Sequence, residues 1–217
     1  MTDNIFVQPV SPQAVSHINL PFEVHLTVVN TPGTDIQRFV SLCQEIGAKP
    51  LLIELSRGNH TQQLMLSKLL LSDQLDTVLK TSKDYDCLLS QQAYRTSRLK
   101  IELPLQYSEI YRANTSAMPG LYYEWHGKVN LSRNKDLLSL CESHGAHLSR
   151  NSLKNEQGMR FITVRELDSK AVFLDRIEVL QKDLKDGAWD IVRQQFEYCV
   201  FDDNCVLDQG WLSQSLL

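Results

Sequence analysis

The chain has 217 residues, 42% hydrophobic and 22% charged, with a net charge of −4. These are the proportions of an ordinary globular protein, and the mild negative charge argues against a dominant nucleic-acid surface. No apolar run approaches the ~20 residues that span a bilayer as a helix, so no membrane role is expected. Residues 1–21 hold Pro9, Pro12 and Pro21 without a sustained period and read as an extended arm. Phe22 to Val29 alternates apolar residues with Glu23, His25 and Thr27, the period of a half-buried strand. Asp35 to Ile46 has helical spacing and stops at Gly47. Lys49 to Leu55 and Gln62 to Leu71 are strands about the turn Ser56-Arg57-Gly58-Asn59. Asp73 to Gln92 is a helix and Arg98 to Leu103 a strand. After a polar linker over 106–120, the order recurs: strand Tyr122 to Leu131, helix Lys135 to Ser143, strands His147 to Lys154 and Met159 to Glu166, helix Ser169 to Lys185, strand Val192 to Phe201.

The recurrence is written in the residues as well. Ser41-Leu42-Cys43-Gln44-Glu45-Ile46-Gly47-Ala48 is matched by Ser139-Leu140-Cys141-Glu142-Ser143-His144-Gly145-Ala146. A twofold βαββαβ order is the pattern of the ferredoxin-like unit, with an antiparallel sheet and both helices on one face. The expected fold is therefore α+β, a tandem duplication with lobes at 22–105 and 121–204 and a tail at 205–217. The two open sheet faces either meet, or curl into a shared barrel. In the rival arrangement the lobes join edge to edge and leave both faces to solvent or partners. Five cysteines without a Cys-x-x-Cys pair suit a reducing compartment. Together with a start, Met1-Thr2-Asp3-Asn4-Ile5, that lacks signal-peptide character, they suggest the cytoplasm, with a specialised export route left open. Cys43 and Cys141 read as small buried hydrophobes.

Strand alternation assigns the faces. Phe22, Val24, Leu26 and Val28 should meet the helices, which sends Glu23, His25 and Thr27 to the open side. Tyr123, Trp125 and Val129 likewise leave Glu124, His126 and Lys128 there, and the closing strands add Lys100, Glu102, Gln195 and Glu197. If the faces meet, two histidines and four glutamates share one polar space. A ligand-filled or water-filled cavity would offset the cost of burying them. If the faces stay solvated, the same residues are ordinary surface.

Three chemistries fit these residues. His25-Leu26-Thr27 resembles the His-x-Thr element of the two-histidine phosphoesterases, which implies one histidine as general base, the other as general acid, and hydroxyls on the phosphate. The second copy departs from the pattern, since His126-Gly127-Lys128 lacks a hydroxyl and His147-Leu148-Ser149 falls on another strand. Glu124-x-His126-x-Lys128 resembles the Glu-x-Glu-x-Lys strand of the triphosphate tunnel enzymes, which implies polyphosphate held by basic residues and a metal carried by glutamate. Here the middle glutamate is a histidine. Of Arg160 and Arg165 alternation lets only one face inward. The third chemistry is a divalent metal such as Zn²⁺, Mn²⁺ or Fe²⁺ held by Glu23, Glu102, Glu124 and Glu197 with the histidines.

Arg57-Gly58-Asn59-His60 with Gln63 is a polar turn able to grip an anion, and Arg150 and Arg165 are further candidates for the same role. Trp211 reads as a clasp for the tail. Arg57-Gly58 with Gln63 to Met65, the run Gly145 to Asn151, Phe201-x-Asp203-Asn204 and Leu207-Asp208-x-Gly210-Trp211 together resemble an uncharacterised bacterial family of duplicated ferredoxin-like domains. That resemblance implies one integrated two-lobe unit and supplies no activity. The expected function is binding, with or without hydrolysis, of a small anionic or phosphorylated ligand between the lobes. The alternative is an interaction module that recruits a protein partner through open sheet faces or edges.

Overall fold

The computed structural model describes residues 18–115, 121–131, 136–154 and 158–210. The first half runs β1 (Leu20–Val28), α1 (Ile36–Glu45), β2 (Lys49–Leu55), β3 (Gln62–Ser72), α2 (Leu75–Gln91) and β4 (Thr96–Pro104). A 3₁₀ turn at Leu105–Tyr107 leads into α3 (Ser108–Asn114). The second half runs β5 (Tyr122–Asn130), α4 (Leu137–Ser143), β6 (His147–Asn151), β7 (Met159–Glu166), α5 (Lys170–Asp186) and β8 (Ile191–Asp202), and a 3₁₀ turn follows at Cys205–Asp208.

The recurring octapeptide is a helix ending. At α1 the Gly47 N–H donates to Gln44 and the Ala48 N–H to Cys43, while at α4 Gly145 donates to Glu142 and Ala146 to Cys141. This double bond pattern satisfies the last helical carbonyls and needs a left-handed residue, and Gly47 and Gly145 have φ of 62° and 61°. Helices α2 and α5 end in the same pattern, with Tyr94 N–H on Leu89 and Trp189 N–H on Leu184. There Ala93 and Ala188 hold φ of 65° and 59°, a conformation unfavourable for a residue with a Cβ. At the other ends Asp35, Asp136 and Ser169 accept hydrogen bonds from backbone N–H groups of their first turns.

In each half the sheet has the same antiparallel order, β2-β3-β1-β4 and β6-β7-β5-β8. The halves join at both edges. β2 pairs with β6 from Ile53↔Asn151 to Leu55↔Ser149, and β4 pairs with β8 from Lys100↔Asp202 to Pro104↔Glu197. The eight strands therefore close into one barrel, a solution that leaves no strand edge unpaired. Edge-to-edge joining and enclosed faces, set against each other in the sequence reading, are both realised.

Outward side chains form the cores beneath the helices. Phe22, Val24, Leu26, Leu64 and Leu66 pack with Phe39 and Leu89 in the first half, and Trp125, Val129, Ile162 and Val164 with Phe173 and Leu180 in the second. Gly127 is required by Trp125, because a Cβ there would lie 2.1 Å from the indole ring.

Three boundaries differ from the sequence reading. The expected linker is helical from Leu105 to Asn114, and its Tyr111 is buried between Phe22 and Tyr198, at 6.3 and 6.4 Å between ring centroids. Its polar composition hid one apolar anchor that bridges the halves. Residues 116–120 lie outside the described residues. So do 1–17 of the expected arm, whose Leu20 and Pro21 already belong to β1. The tail opens with the 3₁₀ turn, while Trp211 lies outside the described residues. No described helix is long and apolar enough to cross a membrane.

Candidate functional site in the barrel interior

Closing the barrel turns both open faces onto a shared cavity of about 210 Å³. Its lining divides into two walls. The contiguous strands β1, β4, β5 and β8 contribute Glu23, His25, Lys100, Glu102, Glu124, His126 and Glu197. The opposite strands contribute the apolar side chains Leu51, Ile53, Leu55, Met65 and Phe161, interspersed with Lys49, Gln63, His147, Ser149, Asn151, Thr163 and Arg165.

On the charged wall every group holds a neighbour. His25 Nε2 lies 3.2 Å from Glu102 and 3.8 Å from Glu23, and Ser67 donates to Glu23 at 2.7 Å. His126 Nε2 lies 3.1 Å from Glu197 and 3.4 Å from Glu124, with its Nδ1 2.9 Å from the Thr163 hydroxyl. Lys100 Nζ joins the two clusters, 2.7 Å from Glu102 and 2.5 Å from Glu124. One donor atom each from Glu102, Glu124 and His126 lies within 4.8 Å of the others. This is an oxygen–oxygen–nitrogen set of the kind that holds divalent transition metals.

The protonation pattern follows from crowding. Burial would raise the Glu102 and Glu124 carboxyls, but the Lys100 ammonium outweighs it and holds both below the ordinary range, Glu124 well below with help from Arg165. Glu197 has His126 as its cationic neighbour, and the balance there falls the other way. Burial, with Glu102 nearby, raises it. Burial would lower His126, but Glu124 and Glu197 outweigh it and push it up to about 10. The wall thus concentrates four carboxylates about one lysine and two imidazoles, an arrangement that favours protons or cations.

One end of the cavity is plugged by the turn at Cys205–Asp208. Asp208 is 1% exposed and accepts from Arg98 at 2.8 Å and from Arg165 at 2.7 Å. Arg98 also grips Asp202. Arg165 donates to Glu124 at 2.7 Å and stacks on Tyr122, 4.0 Å from the ring centroid. His147 is buried beside this end, and burial lowers its pKa to about 4, so it is a neutral imidazole at pH 7.

Several sequence candidates therefore gather in one space: Glu23, His25, Thr27, Glu102, Glu124, His126, Arg165 and Glu197 all line it. Others are elsewhere. Lys128 lies past His126 along β5, over the Phe161 ring at 5.7 Å. Arg57 bridges to Glu142 of α4 at 2.9 Å and to the Ala146 carbonyl, so it ties the halves together outside the cavity. His60 is exposed in its turn. Arg150 pairs with Glu54 and points outward from β6, between the inward Ser149 and Asn151. Arg98 does not stand out in the sequence as a ligand-site residue, and Asp208 is visible there only within an acidic tail cluster with Asp202 and Asp203, suited to capping, turns or Ca²⁺. Counting two residues back from Lys100 along β4 finds Arg98, whereas nothing local reveals that the tail returns Asp208 to the barrel.

No protein-family model matches the chain, and no curated protein matches it. Among solved structures it is similar to a novel heme-binding protein from Thermus thermophilus, with 10% identity over 85% of this chain and 93% of that one and a TM-score of 0.29. It is also similar to a protein described as a putative chlorite dismutase, with 11% identity, coverage of 85% and 96%, and a TM-score of 0.28. At such TM-scores the likeness carries no argument for this chain.

Proposed function

We propose that the barrel interior binds a divalent metal ion at Glu102, Glu124 and His126, and through it a small ligand in the remaining cavity. The observation that carries this reading is the convergence of those three donor atoms, from β4 and β5 of different halves, within 4.8 Å. Lys100 now stands where such an ion would neutralise the same two carboxylates, and His25, Glu23 and Glu197 flank the set as further donors. When bound, the ion would supply Lewis-acid polarisation of a ligand oxygen or a water. An anionic or phosphorylated ligand needs the metal here. Arg98, Arg165 and Lys100 already hold carboxylates, which leaves Lys49 and Lys154 as the other lysines on the lining and disfavours the polyphosphate tunnel. The two-histidine reading keeps His25 and His126 on one wall, with Thr163 of β7 supplying the hydroxyl beside His126.

The interaction-module reading loses its open faces and free edges to barrel closure among the described residues. We read the barrel as a duplicated ferredoxin-like unit, a reading supported by the four matched helix endings and the matched strand orders. We place the protein in the cytoplasm on the strength of its five free cysteines.

A thermal-shift screen against Zn²⁺, Mn²⁺ and Fe²⁺ tests the proposal. An ion at a hundred times its Kd raises stability by about 2.7 kcal/mol. The shift should vanish in Glu124→Gln and in a His25→Ala/His126→Ala double variant, and an equal shift in those variants would contradict it.

A further inference from the structure

The wall opposite the metal donors carries a patch of apolar side chains among its polar ones. Leu51, Ile53, Leu55, Met65 and Phe161 all point into the cavity, and Ile53, Leu55, Met65 and Phe161 keep part of their surface uncovered. Apolar surface left facing a cavity is unfavourable by roughly 25 cal/mol per Å² relative to the same surface covered, and the side chains across the gap are charged and cannot cover it well. A ligand that puts an apolar body on this wall and a polar head on the other satisfies both.

Size restricts that body. An apolar protein cavity of about 150 Å³ holds a benzene molecule, so about 210 Å³ admits one ring with a short head and favours it over two fused rings with one. Phe161 and Met65 suit an aromatic ring, by edge or stacked contact and by sulfur–ring contact. Charge restricts the head. Lys49 and Lys154 line the cavity at exposed positions, and exposed cations of this kind favour the approach of an anion. Beyond them, among the described residues, the strong attraction for an anion is the proposed metal ion.

We infer that the cavity takes a single-ring aromatic compound bearing a short anionic, metal-chelating head, with the head on the metal and the ring on the Leu51–Ile53–Met65–Phe161 wall. The inference rests on the metal reading above and adds the ligand class.

The test uses the full chain loaded with Zn²⁺ and three hydroxamates that share one chelating head. Benzohydroxamate should bind at least 30-fold more tightly than acetohydroxamate, and a naphthyl hydroxamate should lose at least tenfold against benzohydroxamate. Phe161→Ala and Ile53→Ser should reduce the phenyl preference to under fivefold while leaving the affinity for Zn²⁺ alone within twofold. If Zn²⁺ binds but phenyl and methyl heads bind equally, or neither binds, the ligand class is wrong and the metal site stands. If the naphthyl compound binds as well as the phenyl one, the size argument is wrong. If Zn²⁺ itself does not bind, both readings fall.

Discussion

The two walls of this barrel share one backbone scheme and solve different problems. The charged wall is made of the first and last strands of each half, β1 with β4 and β5 with β8, adjacent in the closed barrel. Most of its inward residues are charged or ionisable, four carboxylates, two imidazoles, Lys100 and Arg98, each held by a neighbour, and Thr27 and Gln195 complete it. The apolar wall is made of the middle strands, β2, β3, β6 and β7. Polar residues interrupt it: Lys49, Ser149, Asn151 and Thr163 also face the cavity, and Gln63, His147 and Arg165 sit towards the end that the tail closes, where Gln63 reaches the Leu207 carbonyl and Arg165 reaches Asp208. The contrast teaches that closure alone does not decide what a barrel contains. A wall of paired charges stays in place only while every charge keeps its partner, whereas a half-covered apolar wall is stable as it stands and gains from anything that covers it.

The largest effect should come from breaking the plug. Asp208→Ala leaves Arg98 and Arg165 short of a buried carboxylate, and chemical denaturation should show a loss of roughly 3–5 kcal/mol. A loss below ~1 kcal/mol would mean that the charged interior is more hydrated than its burial shows.

Lys100→Met sharpens the comparison from the other side. It removes the ammonium between Glu102 and Glu124 and should cost about 3 kcal/mol in metal-free protein. Saturating Zn²⁺ should restore most of that loss, and should bind at least tenfold more tightly than to the unaltered chain. Melting curves with and without the ion decide this, and absence of rescue would argue that Lys100 is structural and shares no site with a metal.

The neutral His147 predicts a pH effect of defined sign. Its pKa falls from 6.5 to about 4 on folding, so the unfolded chain binds the proton more readily. Stability should be complete above pH 6.5 and decline as pH falls towards 4, by up to about 3 kcal/mol from this group. Melting temperature against pH should lose part of this acid limb in His147→Phe. An unchanged limb would assign it to the carboxylates of the opposite wall.

The smallest effects test the scaffold that both walls share. Ala93→Gly and Ala188→Gly relieve a left-handed Cβ and should each stabilise by about 0.5–1 kcal/mol, while Gly127→Ala, which drives a methyl into Trp125, should destabilise. Chemical denaturation of the three variants checks both signs.

Much of the charged wall is legible because alternation is a local property. In β1 it separates Glu23, His25 and Thr27 from Phe22, Val24 and Leu26 without any knowledge of the partner strand. The same rule applied to β6 excludes Arg150, whose chemistry alone suggests a ligand role. Arg57 likewise reads as an anion grip because a turn gives no hint that α4 supplies Glu142 as its partner. Closure is less accessible. The pairings Glu54↔Arg150 and Glu102↔Cys199 join distant parts of the chain, and alternation constrains the face of a strand but not its neighbour. Asp208 depends on the path of the tail, which no period encodes. The apolar wall is illegible in sequence because Leu51, Ile53 and Met65 look like core in any strand, and only closure shows that they face a cavity.

The most direct test of the central claim is a calorimetric titration of the metal-free protein with Zn²⁺ near pH 7, in buffers of different ionisation enthalpy. The metal must displace the proton that Glu124 and Glu197 hold on His126, so one ion should bind per chain with release of about one proton. Glu124→Gln should not bind the ion. Binding without proton release, or unchanged binding in Glu124→Gln, would place the ion elsewhere and contradict the account.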